Sequence, residues 1–108
     1  MNPADSGQVI FVTEFLGENE IQKTGNLEKA FEEYGMRLQS SIQTRGGELV
    51  GLLNSLTVNP DENLKTQAWN DQIHRICNKY GWFVLGGDLS TGEDFQLVTS
   101  AVLLRDKK

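Results

Sequence analysis

Twice in this chain an amphipathic helical stripe runs into glycine and then into an apolar run, and that repetition limits the folds open to it. In the first pass Leu27, Phe31, Tyr34, Leu38 and Ile42 recur at the spacing of one helical face, and Gly46-Gly47 follows. In the second, a stripe of Leu64, Ala68 or Trp69, Ile73, Ile76, Cys77 and Tyr80 ends at Gly81, and Trp82-Phe83-Val84-Leu85 continues without a polar break. A helix that buries one face needs a partner layer, and the apolar runs are the natural sheet for it.

Helix boundaries are marked at both passes. Asn26 precedes the first stripe as an N-cap, Glu28, Glu32 and Glu33 lie early, and Arg37 and Arg45 lie late, the order the helix dipole favours. Asn59 caps the second, with Pro60 at its first position and Asp61 and Glu62 in its first turn. Lys79 and Gly81 suit its end.

The strands are read from β-branched and aromatic runs. Gln8–Leu16 is the first, with apolar groups on both faces. Glu48–Val58 fits two templates. As a strand, Val50, Leu52, Leu56 and Val58 share a face; as a helix, Leu49, Leu52, Leu53 and Leu56 do. Two adjacent glycines inside one continuous helix would cost about 2 kcal/mol relative to alanines, which favours a break at Gly46-Gly47 and a strand after it. Trp82–Leu89 and Phe95–Leu104 complete the set, with Ser90–Asp94 as a turn cluster and Gly17–Gly25 as an acidic loop. The expected fold is α+β: a sheet of about four strands with two helices packed on it, in the order β-α-β-α-β-β. The alternative order is β-α-α-β-β, with Glu48–Thr57 helical. Residues 1–108 are read as a single domain, with a loose leader at 1–7 and a charged tail at 105–108. The Gly81-Trp82 step loosely resembles small β-α-β-β domains of unknown function in which a helix ends in Gly-Trp before a strand, a resemblance that implies no activity.

Composition narrows the partners. The net charge is −5, so there is no basic stripe to grip nucleic acid or an anionic membrane. One cysteine, Cys77, permits no intrachain disulfide, and no apolar run approaches the roughly 20 residues of a membrane span. No signal core precedes the first strand, so a cytoplasmic protein is expected.

Four features carry candidate chemistry. His74 and Cys77 lie three apart on the second helix, where an imidazole would stabilise a thiolate nucleophile. Cys77 also falls on the apolar stripe, where a free cysteine behaves as a small hydrophobe. Gly86-Gly87-Asp88-Leu89-Ser90-Thr91-Gly92 is the kind of stretch whose backbone N–H groups cradle phosphate. It lacks the following Lys-Ser or Lys-Thr of a P-loop and does not open a helix, so it is read first as a hairpin connection. Gly86, Gly87, Asp88, Ser90 and Thr91 are its candidate ligand-binding residues. Glu28, Glu32 and Glu33 form a candidate acidic surface for a basic protein partner. Trp69 stands at the edge of its stripe, which points to a subunit or partner interface.

These readings together predict a non-enzymatic binding or regulatory protein acting through protein contacts, one version being an inhibitor of a nucleic-acid-handling complex. The alternative is a homo-oligomer with a small-ligand pocket between subunits. No cofactor, no metal and no catalytic residue are expected, nor direct contact with nucleic acid or membrane. A protein partner and self-association are.

Overall fold

The computed structural model describes residues 7–105; residues 1–6 of the expected leader at 1–7 and residues 106–108 of the expected tail at 105–108 lie outside the described residues. The elements are β1 (Gln8–Gly17), α1 (Glu18–Thr24), α2 (Leu27–Arg45), β2 (Glu48–Val58), α3 (Asn63–Tyr80), β3 (Val84–Thr91) and β4 (Gln96–Arg105). The fold is α+β, a four-stranded sheet packed against helices, as the patterning predicts. Glu48–Val58 is a strand, as the glycine pair before it requires. Gly46 closes α2 at φ 72, and Gly47 follows at φ 96.

Three local readings change. Gly17–Gly25 contains the short helix α1 rather than a loop. Its end is set by Gly25 in the left-handed conformation, whose N–H donates to the Ile21 carbonyl. Asn59 does not cap α3. Its Oδ1 accepts from the Asp61 N–H and its Nδ2 donates to the Glu93 carbonyl, so it closes a turn, and the helix begins four residues later. Gly86–Gly92 is not a hairpin connection. The strand order is β1-β4-β2-β3, so β2 lies between β3 and β4.

That order follows from the connections. β2 and β3 are parallel and joined through α3, a β-α-β crossover. β3 ends at Thr91, opposite Val58 at the end of β2. The short turn after it passes over the end of β2, where the Gly92 N–H donates to the Val58 carbonyl. β4 then runs back antiparallel to both β2 and β1.

The core lies between the helices and one face of the sheet. Ile10, Val12 and Leu16 from β1, Leu52, Leu56 and Val58 from β2, and Leu97, Ala101 and Leu103 from β4 are buried there. Phe31, Tyr34, Leu38 and Ile42 of α2 meet them, as their periodicity predicts. α3 contributes less than expected: Trp69 and Ile76 are buried, Ile73, Cys77 and Tyr80 are half-buried, and Leu64 is 83% exposed. The opposite sheet face is bare. Val9, Phe11, Phe15, Leu53 and Leu104 stand exposed on it.

Candidate functional site

β3 is an edge strand, and every one of its residues is exposed. α3 covers the sheet only as far as β2, so an open groove of about 380 Å³ remains between α3 and β3. One wall is the helical face carrying Asn70, Ile73, His74 and Cys77, whose spacing places them together. The facing wall is Val84 and Gly86–Leu89, and Asn54 and Leu56 of β2 form the floor.

Two separate sequence candidates therefore meet in one place. Gly86, Gly87 and Asp88 line the same groove as His74 and Cys77, Gly86 and Asp88 through their backbone, since their partners Leu53 and Ser55 set their side-chain positions on the opposite sheet face. Ser90 and Thr91 continue along β3 beyond it, with the Ser90 hydroxyl 3.0 Å from that of Thr57. The two glycines play different parts. A Cβ on Gly87, at φ 156, would collide with the Asn54 carbonyl oxygen, so this glycine lets β3 approach β2. A Cβ on Gly86 would meet nothing within 4 Å, so packing does not require a glycine there.

The Cys-His pair is not arranged as an activated nucleophile. Among the described residues no hydrogen bond joins His74 to Cys77, and burial pushes the Cys77 thiol above its ordinary value, the opposite of what a thiolate needs. Among the described residues no group of three or more His, Cys, Asp or Glu side chains is placed to hold a metal, and no helix is long and apolar enough to cross a membrane.

The candidate interface residues are dispersed. Trp69 is 1% exposed, enclosed by Phe31 at 5.2 Å and Phe95 at 5.4 Å between ring centroids, which removes the basis for placing it at an interface. Glu32 is engaged by Arg75 at 3.3 Å, and the same guanidinium donates to the Glu28 carbonyl, so part of the acidic surface binds α2 to α3. Glu28 and Glu33 are exposed.

Asn54 was missed. It lies on the helix-facing side of a central strand, half-buried, and interrupts an apolar series. That interruption was visible in the sequence, but no sequence signal says which groove it borders.

No family model matches the chain, and no curated protein matches it. Solved structures do. The chain is similar to AaThiL complexed with AMPPCP and TMP, at 22% identity and a TM-score of 0.68, over 94% of this chain and 34% of that one. It is similar to thiamine monophosphate kinase from Aquifex aeolicus at 22% identity and a TM-score of 0.71, over 94% and 36%. It is also similar to PurLQS from Thermotoga maritima at 17% identity and a TM-score of 0.75, over 93% and 18%. The chain spans about a third of the length of the kinases it resembles and less of the third protein. At these identities the likeness is one of fold. It nevertheless overturns the expectation of a non-enzymatic inhibitor: that expectation rested on small size and few catalytic groups, and this same fold occurs as part of larger enzymes.

Proposed function

We propose that this chain is a ligand-binding domain of a phosphoryl- or group-transferring enzyme, with a nucleotide-type ligand seated along β3 and the groove beside it. The observation that carries this reading is the groove itself: its size suits a small molecule, and its β3 wall carries no side chain at Gly87, which stands opposite Asn54. An edge strand leaves alternate backbone N–H groups without a strand partner, and such groups donate hydrogen bonds to phosphate oxygens. Gly86, Gly87 and Asp88 border that edge, and the Ser90 and Thr91 hydroxyls extend it. The likeness to a kinase described with AMPPCP and TMP supports the same chemistry. On this reading the domain supplies one wall of a catalytic site, and a second domain or chain supplies the rest.

The experiment is calorimetric titration of AMPPCP into the wild-type chain and into Leu89→Trp. Leu89 stands opposite Leu56 on the groove side of β3 and is 66% exposed, so a larger side chain there should fill the groove, the melting temperature holding within a few degrees while binding falls at least tenfold. Absence of AMPPCP binding to the wild type, or equal binding to both proteins, would defeat the proposal.

A second copy of the chain is the partner this reading takes. The bare sheet face presents apolar residues that adjoin through the β1–β4 register, Val9 beside Leu104, Phe11 beside Val102 and Phe15 beside Val98. It carries mainly apolar and hydroxyl groups, so it is self-complementary. With strands rising about 3.3 Å per residue and spaced about 4.8 Å apart, four strands offer about 600 Å² per copy, at the threshold of a stable interface.

A further inference from the structure

A single polar rung crosses the helix-facing side of the sheet. Glu14, Thr99, Asn54 and Gly87 stand directly opposite one another on β1, β4, β2 and β3. The residues flanking the rung on the same face are apolar and buried: Val12 and Leu16, Leu97 and Ala101, Leu52 and Leu56. At its middle Thr99, 2% exposed, donates its hydroxyl to Asn54 Oδ1 at 2.7 Å. In this arrangement the amide oxygen is turned to Thr99 and the nitrogen away from it. Its nitrogen makes no hydrogen bond among the described residues. Asn54 lines both a core void of about 20 Å³ and the floor of the groove. Across from it Gly87 has no side chain to cover the amide.

A carboxamide at a core-facing position is costly unless its donors are used. Here the acceptor is taken by Thr99 and the donors are left for whatever enters the groove. The other polar side chains facing the groove are Asn70 and His74, the walls are aliphatic, and no Lys or Arg borders the groove. Such a lining does not suit a phosphate. It suits a flat, uncharged ring with a hydrogen-bond acceptor on its leading edge. Resting on the ligand-binding reading above, we propose that the groove takes the heterocyclic base of the ligand, with Asn54 as the specificity-determining donor, while the phosphates lie along the free edge of β3.

The test uses adenosine and cytidine as uncharged ring probes and inorganic tripolyphosphate as a ring-free probe, each titrated into the wild type, Asn54→Asp and the groove-filling Leu89→Trp. Aspartate keeps an acceptor for Thr99 and removes the amide donor. Asn54→Asp should weaken nucleoside binding at least tenfold and leave tripolyphosphate within twofold. Should Asn54→Asp melt early, the double variant Asn54→Leu/Thr99→Val, which removes both partners of the bond and leaves no orphan, should show the same loss. Nucleoside binding that survives both Asn54 variants but not Leu89→Trp sinks the role of Asn54 and leaves the groove standing. Nucleoside binding that survives Leu89→Trp as well, or that is absent from the wild type, sinks the base subsite altogether.

Discussion

Trp69 shows how one side chain can be misplaced by its own helix. Periodicity along α3 sets it at the edge of a stripe, which argues for a second surface to cover it. The structure covers it from elsewhere: Phe31 of α2 meets it edge-on at 87°, and Phe95 lies against it just before β4. Trp69→Ala therefore empties the centre of the core. It should lower stability by about 3–5 kcal/mol in chemical denaturation; a loss below 1 kcal/mol would show the site to be loosely packed. Cys77 behaves in the opposite way, as its apolar neighbours predict. Desolvation raises its thiol pKa, so less thiolate is present at neutral pH than on a free cysteine. Alkylation at pH 7 should be slower than for the same chain in denaturant. The sign for stability follows: the unfolded thiol ionises first as pH rises, so this contribution is present below the unfolded value and is lost as pH climbs through the folded one. Labelling as fast in the folded chain as in denaturant would contradict the buried-thiol reading.

At the scale of the element, β3 is the instructive case. Its glycines and turn-forming residues read locally as a connection, and each is a poor strand former. Pairing with β2 overrides that preference, because the backbone ladder from Leu53 to Val58 holds Gly86 to Thr91 in register. The ladder tolerates only glycine at 87, where the two backbones come close, but not at 86. Gly87→Ala should cost about 3 kcal/mol or more, with early loss of amide protection along β3. Gly86→Ala should change stability by less than about 1 kcal/mol. Equal effects would mean that the close approach at Asn54 is not maintained in solution. The β2–α3–β3 unit also explains why the groove exists: the crossover carries β3 one strand beyond the cover that α3 provides.

At the scale of the whole molecule, two layers leave one sheet face in water. The proposed self-association predicts that the wild type sediments as a dimer at micromolar concentration and that Phe11→Glu sediments as a monomer with unchanged circular dichroism. Phe11 is 55% exposed and lies in the first strand, so the charge should not disturb the core. A wild-type monomer at every accessible concentration would remove the sheet face as an interface.

The α+β class, the extent of α2 from its Asn26 cap to its Gly46 stop, the strand character of Glu48–Val58 and the core stripe from Phe31 to Ile42 were all legible in the sequence, because each depends on contacts or backbone preferences within a few residues. The start of α3 was not, because Asn59 spends its side chain on Asp61 and on Glu93, the latter far along the chain. The placement of β4 between β1 and β2, the burial of Trp69 and the groove were decided only in three dimensions. Each depends on which strands pair across large separations, and a periodic pattern fixes the face of an element but not its neighbour. Asn54, Cys77 and Gly87 are ordinary residues in their local windows; register across β2, α3 and β3 is what brings them to one site.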